Sequence, residues 1–430
     1  MTKSESEVLP HVAYFTHQFP PEVGAGASRV AEFALRWQAS GASVTIVTGM
    51  PNRPEGRVHK GYRGRLVLEE SWRGIRVLRS WLFATPRAGF VPTVLNNVSF
   101  AATIALHAAL RGNRFDVVIA SSPPFFVHLA GDFVSRVRGI PLVLELRDLW
   151  PDYMVDMGVL RNRAGTRALF ACERYLLGRA ARVVVVTSSF RRRVIEKGVD
   201  AELTDLIPNG VDTTQYFRQR EAVPIAALER RGEEFLVGYL GNFGAGQGLE
   251  SVIDAAARLA STDPQVRFVL AGDGTHKSRV VAMVRERRVT NLTIHSTLPR
   301  DETRAFYNAC DACLVPLAPI PIFQDTIPSK IFEIMACECP VIASLDGEGA
   351  RIVRESGGGV LARPGDSQGI ADAIRKVKAM GVESRRQLGR GGRAFVSRHY
   401  QRNVLADRYL EVLSQVHGSY GLSKTQGHYR

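Results

Sequence analysis

Two successive series of short apolar runs, each run followed by a stretch of helical period, constrain this chain more than any other feature. HVAYFTHQF, SVTIVTG, DVVIASS, LVLELRD and RVVVVTSS form the first series, with RLVLEES and IRVLRSW as a β excursion inside it. FLVGYLG, VRFVLAGDG, LTIHST, ACLVPL and PVIAS form the second. These runs lack polar alternation, as expected of strands whose two faces are both covered by helices in a parallel sheet. The expected fold class is therefore α/β, with two doubly wound, Rossmann-like parallel-sheet domains. A length of 430 residues suits two domains, each with its own core. We expect an N-terminal domain over 1–217 and a C-terminal domain over 218–402, with Arg218–Glu234 as linker. A tail helix at about 403–418 is expected to pack back on the first domain. Ligands of open α/β sheets bind beyond the carboxyl ends of the strands, so a central cleft faced by both domains is the expected site.

Charge divides the chain unevenly. Residues 1–200 hold 27 basic against 16 acidic residues, 201–382 hold 20 against 23, and the tail from 383 holds 9 against 3. A basic first half suits nucleic acid, an anionic membrane surface or a phosphorylated small molecule, and an arginine-rich solvated surface is the competing reading. Nothing resembles a zinc finger, an RNA-recognition sheet motif or a homeodomain, so no nucleic-acid partner is expected. Arg76, Arg79, Trp81, Phe83, Arg87 and Phe90 mix cations with aromatics and could meet anionic lipid, or form an ordinary strand edge. The Val91–Leu110 run, interrupted by Asn96, Asn97, Ser99 and His107, reads as a packed or surface-lying helix rather than a membrane span. Five cysteines without a signal peptide indicate a reducing cytoplasm, with a peripheral position on the inner membrane face as an option. Cys310, Cys313, Cys337 and Cys339 have spacing that could suit zinc, but their apolar surroundings read as small buried residues.

Four turns carry the chemistry. Gly24, Gly26 and Arg29 lie between the first strand and its helix, where glycines admit a phosphate to backbone N–H groups and Arg29 adds a cation. A plain tight turn is the alternative there. Gly241-Asn242-Phe243-Gly244-Ala245-Gly246-Gln247-Gly248 places four glycines in eight residues at a strand-to-helix turn, a stronger phosphate cradle. Gly272 and Asp273 turn after VRFVLA, on the expected nucleoside side. In QDTIPSKIFEIMACECPVIAS, Asp325 precedes Glu333 by eight positions, with Ser329, Lys330 and Ile331 at a helix start between them. A helix start favours anions and Lys330 adds positive charge, while a carboxylate at Asp325 or Glu333 can hold hydroxyls. On the first half, Ser121, Ser122, Arg147 and Asp148 end two strands. Asp148 could orient or deprotonate an acceptor hydroxyl, or else pair with Arg147 or cap the next helix. His17, after the first strand, is a fallback for that task.

Gly24–Arg29, Glu145–Pro151, PNGVD, Gly241–Glu250, Ala271–Gly274 and Pro328–Ser344 together resemble the retaining glycosyltransferase family 4, whose fold is GT-B. RDLWPD, GNFGAGQGLE and PSKIFEIMA are most similar to bacterial surface-polysaccharide transferases of the N-acetyl-fucosamine and colanic-acid fucosyl type. Many members carry an arginine and a lysine in the second glycine turn, where this chain has Asn242 and Gln247. The departure shifts the cationic duty onto Lys330 and Arg29.

The resemblance implies a UDP- or GDP-sugar as co-substrate, no metal cofactor, and a saccharide acceptor, often lipid-linked. It places Lys330 on the leaving diphosphate, Glu333 on the ribose and Asp325 on the sugar, with Asp148 the acceptor-activating candidate. No Asp-x-Asp pair occupies a cleft turn to hold a divalent cation, in keeping with that reading. A nucleotide-sugar epimerase of the same fold, or a transferase acting on a soluble natural product, are the alternatives.

Overall fold

The computed structural model describes residues 9–425 except 54, 88, 111–113, 161, 220–224, 226, 227 and 229–231. Two units divide the chain: Met1–Pro208 with Asn403–Arg430, and Asn209–Arg402. The division falls ahead of the 217/218 boundary expected from the sequence. Val211 explains why, since it takes a hydrogen bond from Arg402 N and gives one to Tyr400 O, both at 2.9 Å. Most of the expected linker lies outside the described residues.

The first unit contains β1 (His11–Thr16), β2 (Ser43–Gly49), β3 (Val67–Trp72), β4 (Ile75–Ser80), β5 (Val117–Ser122), β6 (Leu142–Leu146), β7 (Arg182–Val185) and β8 (Thr204–Leu206). They form one sheet in the order β3-β4-β2-β1-β5-β6-β7-β8. All neighbours are parallel except the β3–β4 hairpin. The central strands are buried on both faces. Ala13, Phe15, Val118 and Ala120 enter one core, while Val12, Tyr14, Val117 and Ile119 enter the other, as the two-residue period requires. Edge strand β3 alternates exposed and half-buried positions, which is why VLEESW carries charges.

Helices Phe90–Leu110, Phe126–Arg138 and Arg163–Arg179 cover the first of these cores; Ala25–Ala39 and the end helix Arg402–Thr425 cover the second. The end helix docks through Trp37 Nε1, which donates to Ala406 O at 2.7 Å, and through Tyr409, whose ring meets Trp37 edge-on at 5.3 Å. In the hairpin Arg76 pairs with Glu69 at 2.7 Å and stays partly exposed, while Arg79 is fully buried against Glu70 and the Pro20 carbonyl and is withdrawn from the surface group. Trp81, Phe83 and Arg87 of that group remain exposed, and the Phe90 side chain lies outside the described residues.

The second unit is a six-stranded parallel sheet of β9 (Phe235–Leu240), β10 (Val266–Ala271), β11 (Leu292–His295), β12 (Ala312–Pro316), β13 (Val341–Ser344) and β14 (Gly359–Ala362). Its order is β11-β10-β9-β12-β13-β14. Strand order reverses at β9/β12 here and at β1/β5 in the first unit, so the loops after these strands occupy each sheet's switch point. Cys310, Cys313, Cys337 and Cys339 are all buried, with Cys313 and Cys339 Sγ 3.6 Å apart, as small core residues.

Candidate functional site

In the second unit the loops after β9 and β12 clasp each other. Ala318 N donates to Gly246 O at 3.0 Å, and the Phe323 ring lies directly against Gly246. The loop after β10 presses on the same turn: Phe243 N donates to Asp273 O at 2.8 Å, and Gly272 sits against the Gly241 carbonyl. The helix Lys330–Ala336 then brings in Lys330. Its ammonium lies 4.0 Å from the centre of the Tyr239 ring and 3.2 Å from Gln247 Oε1. A Cβ on Gly241 would stand 2.7 Å from that nitrogen, so only glycine leaves room for it. Tyr239 Oη is 2.7 Å from Asn242 O and 3.1 Å from Gln247 Oε1, fixing the loop's first and last polar residues together.

Burial pulls the Lys330 ammonium down to about 7, against the opposing pull of Glu333. Near neutrality the group is therefore poised between charged and neutral forms. An arriving anion stabilises the charged form. Glu333, one turn along the helix, accepts from the buried Tyr307 hydroxyl at 3.1 Å.

Other expected residues sit differently. Ile331 is core: its side chain is fully buried and its N–H donates to Pro328 O at 3.0 Å. Asp273 turns its carboxylate to Gly274 N at 2.7 Å and Lys277 at 3.4 Å, holding its own turn. Ser329 makes no side-chain cap to the helix and accepts weakly from Asn209 at 3.4 Å. Asp325 ends the short turn Pro321–Asp325 before that helix, nearly buried at 8% exposure. Sequence reasoning missed Tyr239, Tyr307 and Phe323. A tyrosine inside an apolar strand, two residues before a glycine turn, was the available signal for Tyr239.

In the first unit, buried Glu145 on β6 organises the strand ends. It accepts from Tyr14 Oη at 2.7 Å, Ser121 Oγ at 2.6 Å and Arg29 Nε at 3.0 Å. Burial alone would push its carboxyl up; Arg29, Arg147, Ser121 and Tyr14 outweigh this and hold it below the ordinary range. Arg29 is corrected accordingly. Its guanidinium is fully buried, donating also to Pro208 O at 2.6 Å and Ile207 O at 2.9 Å, and is a fixed brace rather than a phosphate cation. Gly24 begins the helix Ala25–Ala39, and Gly26 leaves the space that the Arg147 guanidinium fills. Arg147 donates to Ser122 O at 3.1 Å, and Ser122 Oγ is 3.4 Å from Glu145 O.

Two groups expected on the acceptor side keep unused capacity. Asp148 Oδ1 is buried with no hydrogen-bond partner among the described residues. Burial pushes its carboxyl up to about 6, with Arg147 opposing. It shares a small cavity of about 10 Å³ with Ser122, His128 and Trp150. His17 is buried and its Nε2 lies 2.9 Å from Asn96 Oδ1; Asn96 Nδ2 donates to Phe83 O at 2.8 Å. That chain places the proton on Nε2 and leaves a lone pair on Nδ1. Burial and Arg53 pull His17 down to about 3, so it stays neutral.

The architecture and the two strand-end sites define a GT-B protein: two parallel-sheet α/β units, the second with a glycine-rich turn beside a buried lysine. Residues 24–210 match the glycosyl transferase 4-like domain, and residues 223–395 match glycosyl transferases group 1. The chain belongs to the glycosyltransferases that pair these two domains. It is 27% identical over 326 residues to WcaI of Escherichia coli (strain K12), assigned to colanic acid biosynthesis as a glycosyl transferase, covering 74% of this chain and 79% of that one. It is likewise 27% identical over 377 residues to the 2-deoxystreptamine N-acetyl-D-glucosaminyltransferase of Streptomyces fradiae, covering 83% and 86%. Anabaena Alr3699/HepE, solved with UDP and glucose, superposes with a TM-score of 0.69 at 19% identity, covering 94% of this chain and 99% of that one.

Proposed function

We propose that the chain is a retaining, metal-independent glycosyltransferase that moves a sugar from a UDP- or GDP-sugar to a lipid-linked saccharide in cell-surface polysaccharide assembly. The observation that carries this reading is the Lys330 ammonium held over Tyr239 at the Gly241–Gly248 turn. A departing nucleoside diphosphate gains negative charge as the C1–O bond breaks. A poised lysine beside loop amides offsets that charge as it develops, without a divalent ion. Glu333 would take the ribose hydroxyls and Asp325 those of the sugar. The acceptor oxygen bonds to C1 on the face the diphosphate leaves, and its proton passes to the departing diphosphate oxygen, so no carboxylate nucleophile is required.

On the first unit, Asp148 is favoured over His17 for engaging the acceptor hydroxyl. Near neutrality a carboxyl of about 6 is mostly ionised and can orient the acceptor hydroxyl through a charged hydrogen bond while the proton itself leaves to the diphosphate. An imidazole held near 3 offers only a neutral lone pair. Likeness to the deoxystreptamine enzyme favours a second reading, with a soluble aminocyclitol-type acceptor. Calorimetry with UDP, GDP, ADP and TDP, then turnover of the matching sugars on lipid-linked and soluble acceptors, tests both. Proton NMR of the product's anomeric configuration decides retention, and a chelator that abolishes turnover would sink the metal-free step.

A further inference from the structure

The geometry points to one face of the first unit as a docking surface for an anionic lipid bilayer, an inference resting on the lipid-linked acceptor reading above. On the helix Phe90–Leu110, Val91, Leu95, Val98, Leu106 and Leu110 are 64%, 48%, 44%, 58% and 74% exposed. Ala102, also exposed, completes their three- and four-residue spacing into a single stripe running the length of the helix. The opposite side, with Phe100, Ile104 and Ala108, is fully buried in the core. By length and composition this helix is apolar enough to cross a membrane. A helix with one side built into a protein core instead lies along an interface.

The neighbouring helix Phe126–Arg138 continues the apolar face with Leu129, Phe133 and Val137, exposed at four-residue steps. Beside it runs the helix Arg163–Arg179, reached by Arg136, whose guanidinium lies 5.3 Å from the Tyr175 ring centre. That helix exposes Arg163, Arg167, Arg174 and Arg179. Acidic groups are withdrawn: Glu173 is buried on Lys197 at 2.7 Å, and Asp132 is buried on Arg136 at 3.0 Å. Among the described residues, no carboxylate is exposed on any of the three helices.

An apolar strip beside a row of exposed arginines, of which Arg179 also meets Asp132 at 3.5 Å, suits acyl chains and anionic headgroups together. A second copy of the same face would bring no exposed carboxylate to meet that row, so charge favours the bilayer over self-association.

The test is co-sedimentation of the full chain with vesicles of phosphatidylcholine alone and of phosphatidylcholine with phosphatidylglycerol. Binding to the anionic vesicles alone, weakened by salt, is the expected result. Leu95→Gln/Leu106→Gln/Phe133→Gln and Arg167→Gln/Arg174→Gln should each lower partitioning by about tenfold or more. UDP binding, measured by calorimetry on the same variants, should be unchanged and reports that they fold. Equal partitioning to both vesicle types, or variants that bind like the parent, would overturn the inference. So would a dimer in sedimentation velocity that the apolar variant converts to monomer. Docking that follows these substitutions while UDP fails to bind supports the surface and instead overturns the donor reading.

Discussion

Lys330 stands over the face of Tyr239 in the second unit, its ammonium 4.0 Å from the ring centre. The ring face offers a cation partial compensation for lost water, but far less than a carboxylate would. An ammonium held this way is costly until an anion arrives, which is the property a leaving-group site needs.

Lys330→Met should lower kcat by about 10²–10³-fold, the range for removing one preorganised charge-stabilising group, while the protein stays folded. Lys330→Arg should not restore it. The planar guanidinium is larger than the space between Tyr239, Gln247 and the missing Cβ of Gly241. Unchanged turnover in Lys330→Met would remove the residue from the mechanism.

Nucleotide binding should take up protons. With Lys330 near 7 in the free protein, a bound diphosphate raises that value, so affinity is highest below pH 7 and falls toward pH 9. Calorimetry at pH 8 in buffers of different ionisation enthalpy would read the uptake directly. In Lys330→Met both the uptake and the slope should disappear.

Gly241→Ala places a methyl 2.7 Å from the Lys330 nitrogen. The φ of Gly241 also strains any residue but glycine, so the expected outcome is a stability loss of about 1–3 kcal/mol, with UDP binding weakened by about tenfold in the protein that stays folded. Unchanged affinity would remove this turn's close approach to Lys330 from the donor site.

Arg29 should behave as a structural residue. Breaking its buried pair with Glu145 by Arg29→Met leaves an uncompensated buried carboxylate and should cost about 3–5 kcal/mol in chemical denaturation. Nucleotide affinity of the protein that remains folded should be unchanged.

Arg29 also marks where the sequence ceases to be legible. An arginine at a glycine-rich helix start reads locally as a phosphate ligand, but its partner Glu145 lies 116 residues away and only the sheet brings them together. The unbroken apolar runs announced two parallel sheets because burial on both faces leaves that mark in every strand. The glycines at 241–248 and Lys330 were likewise visible, since close backbone approach and a helix start each demand particular residues. Tyr239 was not, because a tyrosine in a strand is usually core, and only tertiary placement of Lys330 gives it a further task. For Ile331 and Asp273 the sequence was legible only as far as the segment, since the direction of each side chain follows from packing: Ile331 turns into the core and Asp273 to its own turn.

Asp148 supplies the last expectation. Its folded-state value near 6 lies above that of an unfolded aspartate, so between about pH 4 and 6 the folded chain holds more protons than the unfolded one. Stability contributed by this group is present at low pH and is lost as pH rises through 6. Asp148→Asn keeps the shape and removes the buried charge, so at pH 7 it should stabilise the protein by about 1–3 kcal/mol. The same variant should lose turnover and the acid limb near pH 6 in the kcat/KM profile, if the carboxylate engages the acceptor. A stabilised variant with an unaltered profile would leave Asp148 a strained structural residue and move the acceptor role to another group.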